Sequence, residues 1–392
     1  MIVVIGAGLA GLSTALMLAE HGQRVRVLAR GIGGLPLSPG TLDIAADAAI
    51  WDDPAHPYAA MGRSNVEAGV DWLRERVPIF APERDLVLPT AVGALRPSAY
   101  VQKSMVDGAG SGPFVVVGIE GFRDFSAQLV ADNLSRQGRP ARSAALPLLA
   151  IADVLPPSPS AVALARAVDH DPARLGAALG SLAMPGETIL VPAILGLDPA
   201  TFAAVRTAAN APLAEVPLPP PSVPGLRIHN ALLDLLHDAR VDVALNTGVL
   251  GTASVRGTAG GTAIDTLTVG KAGGKTQLAV DAVVDAAGSF DTGNISVRPS
   301  GRVKEMIFGL PLAGSPDVSR DRFADHAMFR MGVRVNARMQ PLSEDGQPAL
   351  ANLYAAGTVI GGAAPWREHS GEGIALGSAW AADRAITEGT DA

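Results

Sequence analysis

The sequence contains no cysteine. Disulfides, thiolate metal sites and cysteine-ligated iron–sulfur clusters are thereby excluded within this chain, and the absence fits a reducing compartment. No block of Lys and Arg occurs and the formal net charge is −7, which argues against nucleic acid as a partner. No stretch reaches the roughly eighteen uninterrupted apolar residues that a bilayer span requires, because the long apolar region 181–197 is broken by Pro185, Glu187 and Pro192. Any membrane association is expected to be peripheral or through a partner. No spacing of His or carboxylate residues suggests a metal site.

What is present reads as a globular protein. Apolar residues reach 48% against 18% charged, which sets the chain apart from disordered sequences. At 392 residues it exceeds the range in which one core suffices, so two interleaved domains are expected. The N-terminus lacks the basic start of a signal peptide and is expected to stay in the mature protein.

Residues 1–30 spell a strand, a glycine turn, a helix and a second strand. The β-branched run Ile2 to Ile5 has the character of a buried parallel strand and ends in Gly6-Ala-Gly-Leu-Ala-Gly11. Gly6 permits the tight turn, Gly8 lets a phosphate approach the backbone, and Gly11 lets the helix pack on the strand. Phosphate oxygens would face the unpaired N–H groups at the helix start. The alternative is a turn whose glycines serve packing alone. At the end of the second strand, where many dinucleotide enzymes hold the adenosine ribose with an acidic residue, Ala29 stands instead. Arg30 beside it could serve a phosphate or a solvated surface. The following segment, with Gly33, Gly34, Ser38, Gly40 and Thr41, suits a loop wrapped around a phosphate and a flavin ribityl chain, or an ordinary connection.

Further on, residues 50–107 are punctuated by prolines and look like an inserted substrate or partner region. Phe114 to Ile119 reads as a strand followed by a helix carrying Phe125, Leu129 and Leu134. Thr188 to Ile194 reads as another strand. The proline-dense segment 217–224 is neither helix interior nor central strand and is taken as a rigid crossing. Residues 225–238 read as a helix, and 241–269 as a β-meander. The apolar strand within 279–286 leads to Gly288, and Asn352 to Gly362 is a strand running into glycine. The helix opening at Gly371, with Gly373 and Ile374 in its first turn, could point its dipole at a flavin carbonyl.

These stretches together resemble the two-dinucleotide-binding-domain flavoprotein family, an α/β, Rossmann-like FAD/NAD(P)-binding fold with an interleaved second α+β domain. Gly288 then relieves the turn of a strand closing over the cofactor, and Gly357 with Thr358 matches the second flavin motif, with Thr358 at the usual ribityl-binding Asp. Within that family the chain is similar to the B-type subunits of anaerobic glycerol-3-phosphate dehydrogenase. The likeness rests on Ser38-Pro-Gly-Thr-Leu-Asp43, His56-Pro-Tyr58, Val117-Gly-Ile-Glu-Gly-Phe-Arg-Asp-Phe125, Pro220 to Arg227, Ala287 to Phe290 and Ala356 to Gly362.

The resemblance implies FMN as cofactor, with FAD the alternative. It also implies an FAD-containing catalytic A-type subunit and an iron–sulfur, membrane-anchoring C-type subunit as partners. The B-type chain would sit in the cytoplasm, peripherally at the inner face of the membrane, supporting oxidation of sn-glycerol 3-phosphate to dihydroxyacetone phosphate and relaying electrons towards quinone. The competing readings are a free-standing flavin oxidoreductase and a scaffold without flavin.

The flavin domain is expected to comprise residues 1–49, 110–150, 225–292 and 341–392, and the substrate or partner-docking domain 50–109, 151–224 and 293–340. Catalytic residues remain unassigned. His369, flanked by Arg367 and Glu372, could abstract a proton while arginine holds a phosphate, or could be part of a solvated loop. His56, His326 and Arg330 are equally open.

Overall fold

The computed structural model describes residues 1–390, and the chain forms two compact units. The first gathers Met1–Gly34, Asp43–Arg76 and the chain from Leu232 onward; the second is Leu35–Leu42 and Val77–Ala231.

In the first unit the opening strand Ile2–Ile5 is buried along its whole length, the helix Leu9–Glu20 follows the glycine turn, and Val25–Leu28 returns beside the first strand. The sheet is entirely parallel. Its spatial order is Leu353–Ala355, Ala282–Asp285, Ile2–Ile5, Val25–Leu28 and Asp242–Ala244. The chain therefore builds outward from Ile2–Ile5 to one side and then returns to fill the other. The reversal leaves a topological switch point between Ile2–Ile5 and Ala282–Asp285, where the loops leaving the two carboxyl ends diverge and ligands of open α/β sheets bind. A meander is present as Thr247–Thr258, Gly261–Lys271 and Gly274–Ala279, whereas the run 241–245, expected as its first strand, gives Asp242–Ala244 to the parallel sheet.

The C-terminal helix Gly371–Thr390 packs where glycine permits contact without side chains between: a Cβ on Gly69 of the helix Arg63–Arg76 would overlap the Leu376 carbonyl. Residues 50–76, expected in an inserted domain, thus belong to the first unit. Val66, Gly69, Val70 and Leu73 form the buried stripe of a helix whose other faces are charged. Residues 293–340, also expected elsewhere, lie in the first unit, with two short antiparallel pairs, Ile295–Val297 with Val303–Glu305 and Leu312–Ala313 with Gly332–Val333.

The second unit has its own parallel sheet, ordered Ala141–Leu146, Phe114–Ile119, Thr188–Pro192, Leu213–Val216. Residues 110–150, expected in the flavin domain, are here instead, because Phe114–Ile119 finds its neighbours on both sides within this sheet. The helix Ala127–Arg136 is capped by Ser126, whose hydroxyl accepts from the Leu129 N–H. A buried pair fixes the end of Leu213–Val216: Arg227 donates to both carboxylate oxygens of Glu215 at 2.7 and 2.9 Å.

Candidate functional site

The phosphate turn sits at the switch point of the first unit. Gly6 has φ +113°, and a Cβ there would overlap the Ala286 carbonyl on the neighbouring strand's exit, so the residue must be glycine for the two strand ends to meet. A Cβ on Gly11 would overlap the Gly6 carbonyl, which fixes the close approach of helix to strand. Gly8 is different. Its backbone is ordinary (φ −82°, ψ −178°), and a Cβ would meet nothing within 4 Å. No protein contact demands glycine at that position, so the open space is what an approaching phosphate needs. No side chain caps the helix Leu9–Glu20, leaving its first N–H groups to face that space. Open cradle and uncapped helix fit the phosphate of a flavin nucleotide.

Several other expected residues gather around the same turn. Gly33 has φ +78° and is flush against the Ala7 backbone, so the loop after the second strand lies on the phosphate turn; Gly34 beside it faces open space. Gly357 has φ +76° and a Cβ would stand 2.9 Å from that of Ala10, which brings the second glycine motif onto the start of the first helix. Its N–H is held by the buried Ser378 Oγ at 2.8 Å, a residue the sequence did not single out. Thr358 next to it is exposed. Gly288 (φ +86°) turns the chain just after the Ala286 contact and packs on Thr292. Ala29 is buried and its backbone is bonded on both sides, N–H to the Ala244 carbonyl and carbonyl from the Thr247 N–H. No carboxylate stands there. Arg30 is exposed and lies along Gly248.

Ser38, Gly40 and Thr41 belong to the second unit. Gly40 (φ +77°) is required by packing on Pro224 and Gln102, and Ser38 Oγ accepts from its N–H. Thr41 lines a mostly apolar cavity of about 250 Å³ with Leu88, Arg96 and Leu218.

The start of the C-terminal helix carries the titratable cluster. Gly373 donates its N–H to the Asp43 carbonyl at 3.0 Å and Ile374 to Ser370 at 2.9 Å. Both N–H groups are thus bonded within the protein. Gly373 must lack a Cβ because Tyr58 Oη lies against it, itself donating to the Ser370 carbonyl at 3.2 Å. Burial pushes the Tyr58 phenol up, so it stays protonated.

His56 caps its helix by accepting the Tyr58 N–H at Nδ1, and its Nε2 faces Glu368 at 3.4 Å. Burial alone would raise the Glu368 carboxyl, but the close approach of His56, hydrogen bonds from Arg330 and the Ala364 N–H, and the charge of Arg330 hold it down at about 2. Arg330 is shared between Glu368 and Asp325. Arg367 donates to the Phe323 and Ala324 carbonyls at 2.9 and 2.8 Å. His326 accepts the Ser319 N–H. These residues hold the loops, and neither arginine is left uncommitted for a phosphate.

His369 is set apart. It ends the short helix Pro365–Glu368 in a left-handed conformation, φ 52°, and its Nδ1 faces the buried Asp43 carboxylate at 3.7 Å. Asp43, in the stretch Ser38 to Asp43, is a partner that sequence reasoning passed over. So is Asp285 at the switch point, a wholly buried carboxyl that burial and the buried Glu305 carboxylate push up to about 7. One of its oxygens accepts the Ala287 N–H at 3.1 Å; the other has no hydrogen-bond partner. Among the described residues no group of side chains suits a metal ion, and no helix is long and apolar enough to cross a membrane.

Comparison with known proteins places this geometry. The FAD binding domain family matches residues 1–374. The chain is 30% identical to a probable anaerobic glycerol-3-phosphate dehydrogenase B-type subunit of Halobacterium salinarum, over 99% of this chain and 97% of that one. It is 31% identical to the corresponding anaerobic glycerol-3-phosphate dehydrogenase chain, again the B-type one, of Pectobacterium carotovorum subsp. carotovorum, over 99% of both. A solved structure, 3-ketosteroid delta1-dehydrogenase from Sterolibacterium denitrificans, is 11% identical over 99% of each chain with a TM-score of 0.47. With an open glycine turn at the switch point of a parallel sheet and relatives matched from end to end, the chain belongs to the FAD binding domain family and, within it, to the B-type subunits of anaerobic glycerol-3-phosphate dehydrogenase.

Proposed function

We propose that the chain is the flavin-binding component of a respiratory complex that oxidises sn-glycerol 3-phosphate to dihydroxyacetone phosphate and relays the electrons towards quinone. The end-to-end match to chains named as B-type subunits of that dehydrogenase carries this reading. An FAD-containing A-type subunit would remove hydride from the substrate, and an iron–sulfur C-type subunit would anchor the assembly at the inner face of the membrane. A bound flavin accepts two electrons and releases them singly, which suits a junction between hydride transfer and one-electron clusters. This chain's Gly8 cradle and uncapped helix would hold the phosphate, with Gly33, Gly288 and Gly357 shaping the walls around it. The commitment of Arg330 and Arg367 to internal partners favours the relay over a free-standing enzyme that grips glycerol 3-phosphate itself.

Two measurements test this. Mass spectrometry of the cofactor released from purified protein is expected to return FMN, because no ribose carboxylate stands at Ala29; FAD would overturn that part alone, and no flavin at all would overturn the whole. Quinone reduction driven by glycerol 3-phosphate is expected only when A- and C-type subunits are added. Sustained turnover by this chain alone would sink the relay.

A further inference from the structure

We propose that Asp43 and His369 form a proton-transfer pair at the start of the C-terminal helix, with His369 Nε2 as the atom that would take up and return a proton for a bound flavin. The inference deepens the relay reading and rests on it for the flavin. The pair itself rests on geometry.

The Asp43 carboxylate is 8% exposed, and the His369 side chain 36%. The ring's Nδ1 is buried, 3.7 Å from Asp43 Oδ2, and has no hydrogen-bond partner. Since Nδ1 is buried, the exposure of the side chain is left to its other atoms. A carboxylate facing Nδ1 selects the Nδ1–H tautomer and leaves Nε2 as the base, the division of labour in carboxylate–histidine pairs. The separation exceeds a hydrogen bond, as such contacts often do before a ligand tightens them.

The scaffold holds the pair from both sides. Asp43 donates its N–H to Glu372 Oε2 at 3.1 Å and accepts from the Gly373 N–H at 3.0 Å, so its backbone is sewn to the first turn of the C-terminal helix. His369 is fixed by the turn that precedes that helix, its N–H donating to the Pro365 carbonyl. A glycine would make this left-handed turn without steric cost. Histidine there carries a cost of about 1 kcal/mol, and such strain is retained where a side chain is needed in place. The nearby charges are Glu368, held by Arg330, together with Arg367 and Glu372. With both arginines committed, the cluster is built to move a proton and not to grip an anion.

The chemistry balances. A flavin held by this chain would supply two-electron storage with one-electron release to a partner's clusters, and oxidation of its anionic hydroquinone would set free one N–H proton for the two electrons. His369 would accept that proton at Nε2 to become imidazolium, with the Asp43 carboxylate facing the new charge, and would then pass it to water.

The first test needs no flavin turnover. Long-range 1H–15N spectra of the histidine-labelled protein are recorded, and the signal lost in His369→Gln assigns His369 among the seven histidines. The wild type is expected to show the Nδ1–H tautomer, and Asp43→Asn to shift it to Nε2–H or a mixture. An Nε2–H tautomer in the wild type, or one indifferent to Asp43→Asn in a folded variant, overturns the pair.

The second test uses the assembled complex. Half-exposed His369→Gln is expected to keep its flavin and its fold but to slow flavin reoxidation by about 100-fold, with partial rescue by added imidazole. Unchanged reoxidation overturns the proton-transfer role, and this arm decides the matter if Asp43→Asn does not fold. A protein whose spectra show the pair but which binds no flavin would defeat the relay reading and leave the pair standing.

Discussion

Gly357 rests on Ala10: a Cβ added to the glycine would lie 2.9 Å from the alanine methyl carbon. One residue opens the helix after the glycine turn and the other follows the strand Leu353–Ala355, so the contact joins segments from the two ends of the sequence beside that turn. Ser378 locks it by accepting the Gly357 N–H while donating to the Ile374 carbonyl.

The glycines of the phosphate turn separate by experiment. Gly8→Val adds bulk only to open space, so the variant is expected to fold and melt as the wild type does while retaining no flavin. Gly6→Ala overlaps the Ala286 carbonyl at a φ of +113° and should cost at least about 2 kcal/mol in chemical denaturation. A Gly8→Val protein that stays yellow would move the phosphate elsewhere.

Glu368 ties stability to acid pH. Its carboxyl is held at about 2 in the fold against an ordinary 4.5. A depressed carboxyl stabilises above its unfolded value, so the contribution is complete above about pH 4.5 and is lost as pH falls towards 2. Its size is about 3 kcal/mol at most. Glu368→Gln is expected to lower the melting temperature at pH 7 and to matter progressively less below pH 4.

Asp285 has the opposite sign. Its carboxyl is raised from 3.8 to about 7, so the folded protein binds the extra proton between those values. The stabilisation is full below about pH 3.8 and is lost as pH rises through 7. Asp285→Asn is therefore expected to gain melting temperature relative to the wild type as pH climbs from 4 to 8. A difference that stays flat with pH would show that Asp285 does not titrate in this window.

In the second unit, Arg227 and Glu215 are both buried and paired through two hydrogen bonds. Glu215→Gln removes the counter-charge and leaves the guanidinium buried, which should cost about 3–5 kcal/mol in urea denaturation. The apolar pair Glu215→Leu with Arg227→Met is expected to recover most of that loss.

The strand, glycine turn, helix and second strand of residues 1–30 were legible in the sequence because all their determinants lie within thirty residues, each element following from the one before. The unit boundaries were not. Phe114 to Ile119 announces a buried strand, but a parallel strand reads the same in either sheet, and only its pairing with Thr188–Pro192 assigns it. Glycine shows the same limit. Gly8 and Gly40 are one letter, yet the first faces empty space and the second faces Pro224. The Asp43–His369 pair is invisible for a related reason: its members are distant in sequence, and the left-handed turn aiming one at the other has no glycine to announce it. Asp285 hides within an apolar strand, where the sequence records the acid but not that its charge is shut away from water.

The split of the nucleotide sheet has a consequence for biogenesis. Ile2–Ile5 is made first but pairs with Ala282–Asp285, and that strand in turn waits for Leu353–Ala355. The four strands of the second unit's parallel sheet all lie between Phe114 and Val216. A ribosome therefore delivers everything the second sheet needs while the first still has an open, apolar edge. Such edges invite misassociation, so the long interval between the phosphate turn and its closing strands is where the nascent chain depends most on chaperones or on slow translation.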